Sequence, residues 1–206
     1  MRIILVRHGE TIYNLERRYQ GHTDAELTEL GKKQALRTAE RLSREDITAI
    51  YSSDLIRASE TARIIAKYHN LPVQTDMRLR ECAFGDWEGL TVDEIKERYP
   101  ELYANYQRDS VQHRAPNGER LESLLERVSS VVNRIVKKHL NETVVLVGHG
   151  GTIHAFICYA LDAPLYAFRK IRLDNCGITI FSRLPNGKWF LEVLNETCHL
   201  EGLVKI

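Results

Sequence analysis

Apolar residues recur along this chain in two rhythms, and the switches between them mark its elements. Ile3-Ile4-Leu5-Val6 is unbroken by polar residues, as expected of a short strand buried on both faces. Thr143-Val144-Val145-Leu146-Val147 repeats that pattern far downstream. Between them the period lengthens. Thr28 is placed to cap a helix running to about Leu42, with Leu30, Ala35, Ala39 and Leu42 toward the core. Ile47 to Tyr51 reads as a second strand. Leu55, Ala58, Ala62, Ile65 and Ala66 form a helical stripe, and Pro72 to Thr75 a third short strand.

From about Arg78 to Gly118 the rhythm breaks. Glu81 to Gly89 reads as an irregular loop, followed by polar helical segments at Val92–Tyr99 and Pro100–Arg108 and a turn at Pro116-Asn117-Gly118. The longest stripe follows, from Leu121 to Val136, and keeps Leu124, Val128, Val131, Val132 and Ile135 on one face. A helix from about Thr152 to Leu161 comes after the Thr143–Val147 strand. Ile178–Phe181 and Trp189–Leu194 pattern as a hairpin of edge strands around Pro185-Asn186-Gly187.

Strands alternating with helices predict an α/β fold, a three-layer α/β/α sandwich around a mostly parallel sheet. The 78–118 segment is expected as a short, mainly helical insertion over one edge of a single domain spanning 1–206. The 206 residues carry 29 basic and 28 acidic side chains, a formal net charge of +1. That balance advertises no nucleic-acid or membrane-surface partner, so any electropositive site must be made locally. The four cysteines form no CxxC pair, which points away from a zinc or redox motif and toward reduced thiols. No apolar run nears the ~20 residues that span a bilayer, and Met1-Arg2 leads straight into the first strand; a cytoplasmic location is expected. The strand near Phe190–Leu194 offers an edge for a homodimer, which the pattern does not require.

The two buried strands both end in histidine-glycine: Arg7-His8-Gly9 and Gly148-His149-Gly150-Gly151. As parallel members of one sheet they would deliver both imidazoles to its carboxyl edge, where open α/β folds bind ligands. Glycines allow close backbone approach, and the helix after Gly150-Gly151 adds the positive end of its dipole. This describes an anion site, with phosphate the obvious candidate. Arg7 adjoins His8, and Arg57 lies in the first turn after the second strand; a guanidinium fork matches two phosphate oxygens. Asn14 and Gln20 could donate from the loop behind His8. A neutral imidazole among arginines can act as a nucleophile. Its leaving group then needs an acid, for which Glu81, Asp86 and Glu88 compete; spacing does not choose among them.

These residues resemble the histidine phosphatase superfamily, also called phosphoglycerate-mutase-like. The resemblance runs from Leu5-Val6-Arg7-His8-Gly9-Glu10-Thr11 with Asn14, through Gly21-His22-Thr23-Asp24, Leu27 to Gly31, Tyr51 to Ala58 and Glu81 with Gly85 to Gly89, to Val147–Gly151. It implies His8 as a nucleophile that becomes phosphohistidine, and Glu81 as proton donor and later base. Arg7, Arg57 and His149 would hold the phosphoryl oxygens, assisted by Asn14, Gln20, Gly21 and Gly150. It implies no cofactor and no metal, since arginines and imidazoles supply the positive charge. Two positions depart from the pattern: Cys82-Ala83 after Glu81, and His154 where many relatives place arginine.

Within that family the short insertion favours a phosphatase of a small phosphorylated metabolite over a phosphoglycerate mutase, which must shield its phosphoenzyme from water. Phe84 to Thr91 resembles α-ribazole phosphatases, whereas the tail Leu194 to Leu200 equally resembles phosphoserine and broad-specificity phosphatases. His199 in that tail is a further candidate, able to reach the pocket and bind a substrate carboxylate. A non-catalytic phosphate-binding module remains the alternative from another class, although His8, Arg57, Glu81 and His149 are all retained. A metallohydrolase on His8, His22 and His149 is weaker, for want of paired aspartates or H-x-x-x-H spacing.

Overall fold

Successive residues of the first strand divide between two hydrophobic cores. Ile3 and Leu5 pack with Val131, Ile135, Phe156 and Phe181, whereas Ile4 and Val6 pack with Ala39, Leu42, Ala62 and Ile65. A strand with no polar face is therefore the one covered on both sides. The structure, a computed structural model, describes residues 1–167 and 170–203.

Six strands form the sheet: β1 (Arg2–Arg7), β2 (Ile47–Ser52), β3 (Val73–Thr75), β4 (Thr143–Gly148), β5 (Ile178–Arg183) and β6 (Trp189–Glu196). Their order is β3-β2-β4-β1-β5-β6. The first four run parallel, and the β5–β6 hairpin joins antiparallel to β1. Only β6 of that hairpin is an edge. β5 lies between β1 and β6, which corrects the expectation of two edge strands and explains why Ile178, Ile180 and Phe181 are buried.

Helices α2 (Glu29–Leu42) and α3 (Ile56–Ala66) cover one face, and α6 (Leu121–Lys138) and α7 (Gly150–Ala160) the other. The remaining helices are the short α1 (Ile12–Leu15) and the insertion's α4 (Val92–Arg98) and α5 (Pro100–Arg108). In α6 the predicted stripe buries Leu124, Val128, Val131, Val132 and Ile135, each worth about 1.5–3 kcal/mol of transfer free energy. Lys137 and Lys138 close its last turn, where the helix dipole favours cations. The Thr28 hydroxyl accepts from the Gly31 amide at 2.9 Å and caps α2 as the sequence implied, while Leu30 is only half-buried.

Gly31 has a specific reason to be glycine. A Cβ there would lie 2.1 Å from the Glu10 carbonyl oxygen, and one on Gly9 would lie 2.5 Å from the Gly31 carbonyl oxygen. The start of α2 thus presses directly on the loop that leaves β1. The insertion packs on a small core of its own, Trp87, Ile95, Tyr103 and Ala115. Among the described residues no helix is long and apolar enough to cross a membrane.

This wiring positions the site. β1 and β4 are neighbours, paired Val6 with Val147 and Arg7 with Gly148. The chain leaves β1 toward the α2–α3 face and leaves β4 toward the α6–α7 face. The crevice between such diverging connections is where open α/β sheets bind ligands.

Candidate active site

His8 and His149 follow β1 and β4 at matched register, so their rings meet at the carboxyl edge with centroids 5.2 Å apart. The His8 amide donates to the Gly148 carbonyl at 3.0 Å and ties the two strand ends together. Both side chains are buried, and so is the whole of Arg57.

The hydrogen bonds decide which nitrogen of each ring does what. His8 Nδ1 lies 2.7 Å from the Gly9 carbonyl oxygen. A carbonyl only accepts, so Nδ1 carries the proton and the lone pair is on Nε2. His149 is the reverse: Arg57 Nε donates to its Nδ1 at 3.3 Å. A guanidinium only donates, so the proton of neutral His149 sits on Nε2. Burial, Arg57 and Arg7 together hold His8 well below its ordinary pKa, and burial, Arg57, His8 and Arg7 do the same to His149. Both rings are neutral at neutral pH, one with a free lone pair and the other with an N–H to give.

Two buried donors here have no hydrogen-bond partner among the described residues: His149 Nε2 and Arg7 Nε. Leaving a buried donor unpaired costs about 1–3 kcal/mol, so a pair of them beside a neutral imidazole suits an anion. Arg7 is fixed through Nη1 to the Leu173 carbonyl at 2.6 Å. Arg57 is fixed by donating to the carbonyls of Gly21 at 2.7 Å and Thr23 at 2.9 Å. Two such guanidinium groups repel a cation, which weighs against the metallohydrolase reading. His22 is engaged elsewhere, its Nε2 3.0 Å from the Glu81 carbonyl.

The site opens into a cavity of about 240 Å³ lined by His8, Arg7, Arg57, Asn14, Gln20 and Glu81, with Gly21 at its wall. Asn14 and Gln20 are tethered by Thr11, whose amide and hydroxyl donate to Asn14 Oδ1 and whose hydroxyl lies 3.0 Å from Gln20 Oε1. Asn175 Nδ2 braces the same loop by donating to the His8 carbonyl at 2.9 Å and to Asn14 Oδ1 at 3.2 Å. Arg17, exposed and with φ of 56°, also lines this cavity. Neither residue carries a sequence pattern that singles it out.

Of the three carboxylates in the loop, one lines the cavity. Glu88 spends its oxygens on the amides of His22, Thr23 and Phe84 and on the Thr23 hydroxyl. Asp86 is exposed and accepts from Asn117. Glu81 faces the cavity, its carboxylate accepting from the Cys82 amide at 2.7 Å and the Gly151 amide at 3.1 Å. The amide at the start of α7 therefore holds Glu81, where the sequence reading gave it to the ligand. A Cβ on Gly151 would sit 2.1 Å from Glu81 Oε1, so glycine is what lets the carboxylate reach the helix end.

A second cavity of about 300 Å³ adjoins the first through Arg7, Tyr19, Glu81 and Phe84. Its further walls include Cys82, Tyr106, Leu121, Gly150, Ile171 and Leu173, with His154 alongside. His154 Nε2 is 2.8 Å from the Ile171 carbonyl. Burial raises the Cys82 thiol well above its ordinary range, so it remains a thiol. His199 lines neither cavity. Its Nε2 is 3.1 Å from the Thr38 hydroxyl and 3.2 Å from the Cys176 carbonyl, which ties the tail to α2, so the expected contact with substrate is not made.

Comparison with known proteins places this geometry. Phosphoglycerate mutase-like protein 4 of Arabidopsis thaliana is 42% identical over 97% of this chain and 86% of its own length. Phosphoserine phosphatase 1 of Hydrogenobacter thermophilus is 38% identical over 97% of this chain and 94% of its own. The solved structure of Bacillus stearothermophilus YhfR superposes with a TM-score of 0.92 at 35% identity, covering 97% of this chain and 99% of that one. The family model of the histidine phosphatase superfamily (branch 1) matches residues 3–197. A match of that extent, on a sheet edge carrying paired imidazoles and buried arginines, means that the chain belongs to the histidine phosphatase superfamily, branch 1, and is a phosphatase of that type.

Proposed function

We propose that the chain is a metal-independent phosphomonoesterase working through a phosphohistidine on His8, with Glu81 as proton donor. The observation that carries this reading is the tautomer of His8: Nδ1 is committed to the Gly9 carbonyl, which leaves Nε2 as a lone pair in an arginine-flanked cavity. Nε2 attacks phosphorus while the phosphorus–oxygen bond to the alcohol breaks and Glu81 gives its proton to the departing oxygen. Arg7, Arg57 and His149 stabilise the charge that spreads over the phosphoryl oxygens. Water then attacks the phosphohistidine, Glu81 takes the water's proton, and inorganic phosphate leaves as the nitrogen–phosphorus bond breaks.

The alcohol occupies the second cavity. Tyr19, Phe84, Tyr106, Leu121, Ile171 and Leu173 make up half of its described walls, and Arg7 is the one guanidinium among them. That lining suits a bulky leaving group with a substantial apolar part, which supports α-ribazole 5'-phosphate or a broad range of aryl and alkyl phosphates. Glycerate or serine would bring a carboxylate to the same walls, so phosphoglycerate and phosphoserine fit them less well; identity to a phosphoserine phosphatase is what keeps that substrate in view. The test compares kcat/KM on α-ribazole 5'-phosphate, phosphoserine and 3-phosphoglycerate, alongside p-nitrophenyl phosphate with EDTA present. A preference of tenfold or more for phosphoserine would refute the apolar-alcohol reading. Loss of p-nitrophenyl phosphate hydrolysis on chelation would refute the metal-free mechanism.

A further inference from the structure

Arg127 stands on α6, outside both cavities, yet its guanidinium is the most heavily bonded group near the site. Nε and Nη2 donate to the two oxygens of Glu119 at 2.7 and 2.8 Å. Nη1 donates to the carbonyls of Arg78 and Arg80, each at 2.7 Å, and Nη2 to the carbonyl of Glu81 at 2.8 Å. These five bonds use all five N–H donors of the group. Glu119 grips the other side of the same segment. Its Oε2 accepts from the Ala83 amide at 3.2 Å, and its own amide donates to the Ala83 carbonyl at 2.8 Å.

The main chain on both sides of Glu81 is therefore held by one ion pair, while its carboxylate is held by amides of Cys82 and Gly151. Neither partner is fully exposed, with side-chain exposures of 18% for Arg127 and 16% for Glu119. A planar fork bonded in this way fixes position far more tightly than a flexible ammonium, which has three donors and no plane.

We propose that Arg127, with Glu119, is a positioning residue for Glu81, setting where the carboxyl proton is delivered to the departing oxygen. The proposal rests on Glu81 as proton donor. It implies an effect that depends on the leaving group. p-Nitrophenolate departs readily without a proton, whereas an alkoxide does not, so displacing the donor slows alkyl esters selectively. Displacement by an ångström is worth up to about 10²-fold.

The experiment measures kcat/KM, which reports steps up to release of the alcohol, for p-nitrophenyl phosphate and β-glycerophosphate. The proteins are wild type, Arg127→Lys, Glu119→Gln, Glu81→Gln and the Arg127→Lys/Glu81→Gln double variant, each checked by thermal melting. Arg127→Lys is expected to lower the β-glycerophosphate value by about tenfold or more and the p-nitrophenyl phosphate value by less than about threefold, with Glu119→Gln following in the same direction. In the Glu81→Gln background Arg127→Lys should add nothing. Equal losses on both substrates, full rescue by lysine, or additive effects in the double variant would show a merely structural arginine and overturn the proposal. If Glu81→Gln alone failed to discriminate the two substrates while Arg127→Lys still did, the donor assignment itself would fall, and the proposal with it.

Discussion

Arg57 Nε donates to His149 Nδ1 at 3.3 Å, and this one bond determines that the neutral His149 ring, packed beside His8, carries its proton on Nε2. Without it the neutral ring is free to place its proton on either nitrogen, and half of the anion site becomes an acceptor that repels phosphate. Arg57→Lys keeps the charge but cannot hold Gly21, Thr23 and His149 together. It should cost about 10²–10³-fold in kcat/KM, and nitrogen NMR of His149 should change from a protonated Nε2 to a mixture of tautomers.

His8→Ala should abolish turnover and abolish labelling by a phosphorylated substrate. In the wild-type protein the trapped label should be lost in acid and survive base. The opposite stability would exclude a phosphohistidine.

Glu81→Gln should slow alkyl phosphate hydrolysis by about 10²–10⁴-fold. Asp86→Asn should be nearly silent, because Asp86 is exposed and bonded to Asn117. Glu88→Gln should act through folding of the 21–23 turn, visible as a lower melting temperature. A loss confined to Asp86→Asn would mean that the loop inverts on binding.

The histidines set a sign for acid sensitivity. Both are held well below their ordinary value of 6.5 in the folded chain, chiefly by burial and then by Arg57. As pH falls below about 6.5 the unfolded chain binds protons that the folded chain refuses, so stability declines with falling pH from that point. Above about pH 7 these two groups contribute no slope. Urea unfolding across pH 5–8 checks this; in the His8→Ala variant the decline should be shallower.

Gly31→Ala tests the contact between α2 and the loop leaving β1. Helix propensity alone predicts a gain of about 1 kcal/mol. The added Cβ would meet the Glu10 carbonyl oxygen at 2.1 Å, and overpacking against backbone costs about 1–3 kcal/mol. The clash wins, so the unfolding midpoint should fall.

What the sequence displays of this molecule follows from what is local. β1 and β4 are legible because four or five apolar residues end abruptly in histidine and glycine. Their pairing needs only the rule that parallel strands share an edge. Arg57 is legible as a first-turn residue. By contrast, Glu81 could not be separated from Asp86 and Glu88 by spacing, since the choice is made by where Glu88 finds its four donors. Arg127 looks like any helix arginine. Its carbonyl acceptors stand 46 to 49 residues earlier in the chain, and no short-range pattern records that. The hairpin was readable, but the insertion of β5 beside β1 depends on which edge the sheet leaves open. His199 misled for a similar reason, because a tail position says nothing about which face the tail folds onto.

The private core of the insertion has a consequence for descent. Trp87, Ile95, Tyr103 and Ala115 pack together, and this small core meets the larger core under α6 and α7 only through the half-buried Phe84 among the described residues. Tyr106, which packs on Trp87 edge to face at 5.1 Å, also lines the second cavity. Substitutions there act on the site through Phe84 and Tyr19, the two residues that this core shares with the walls of the first cavity, and none of Arg7, His8, Arg57 and His149 belongs to it. A lineage built on this plan can change its diet while inheriting one unaltered way of cutting phosphate.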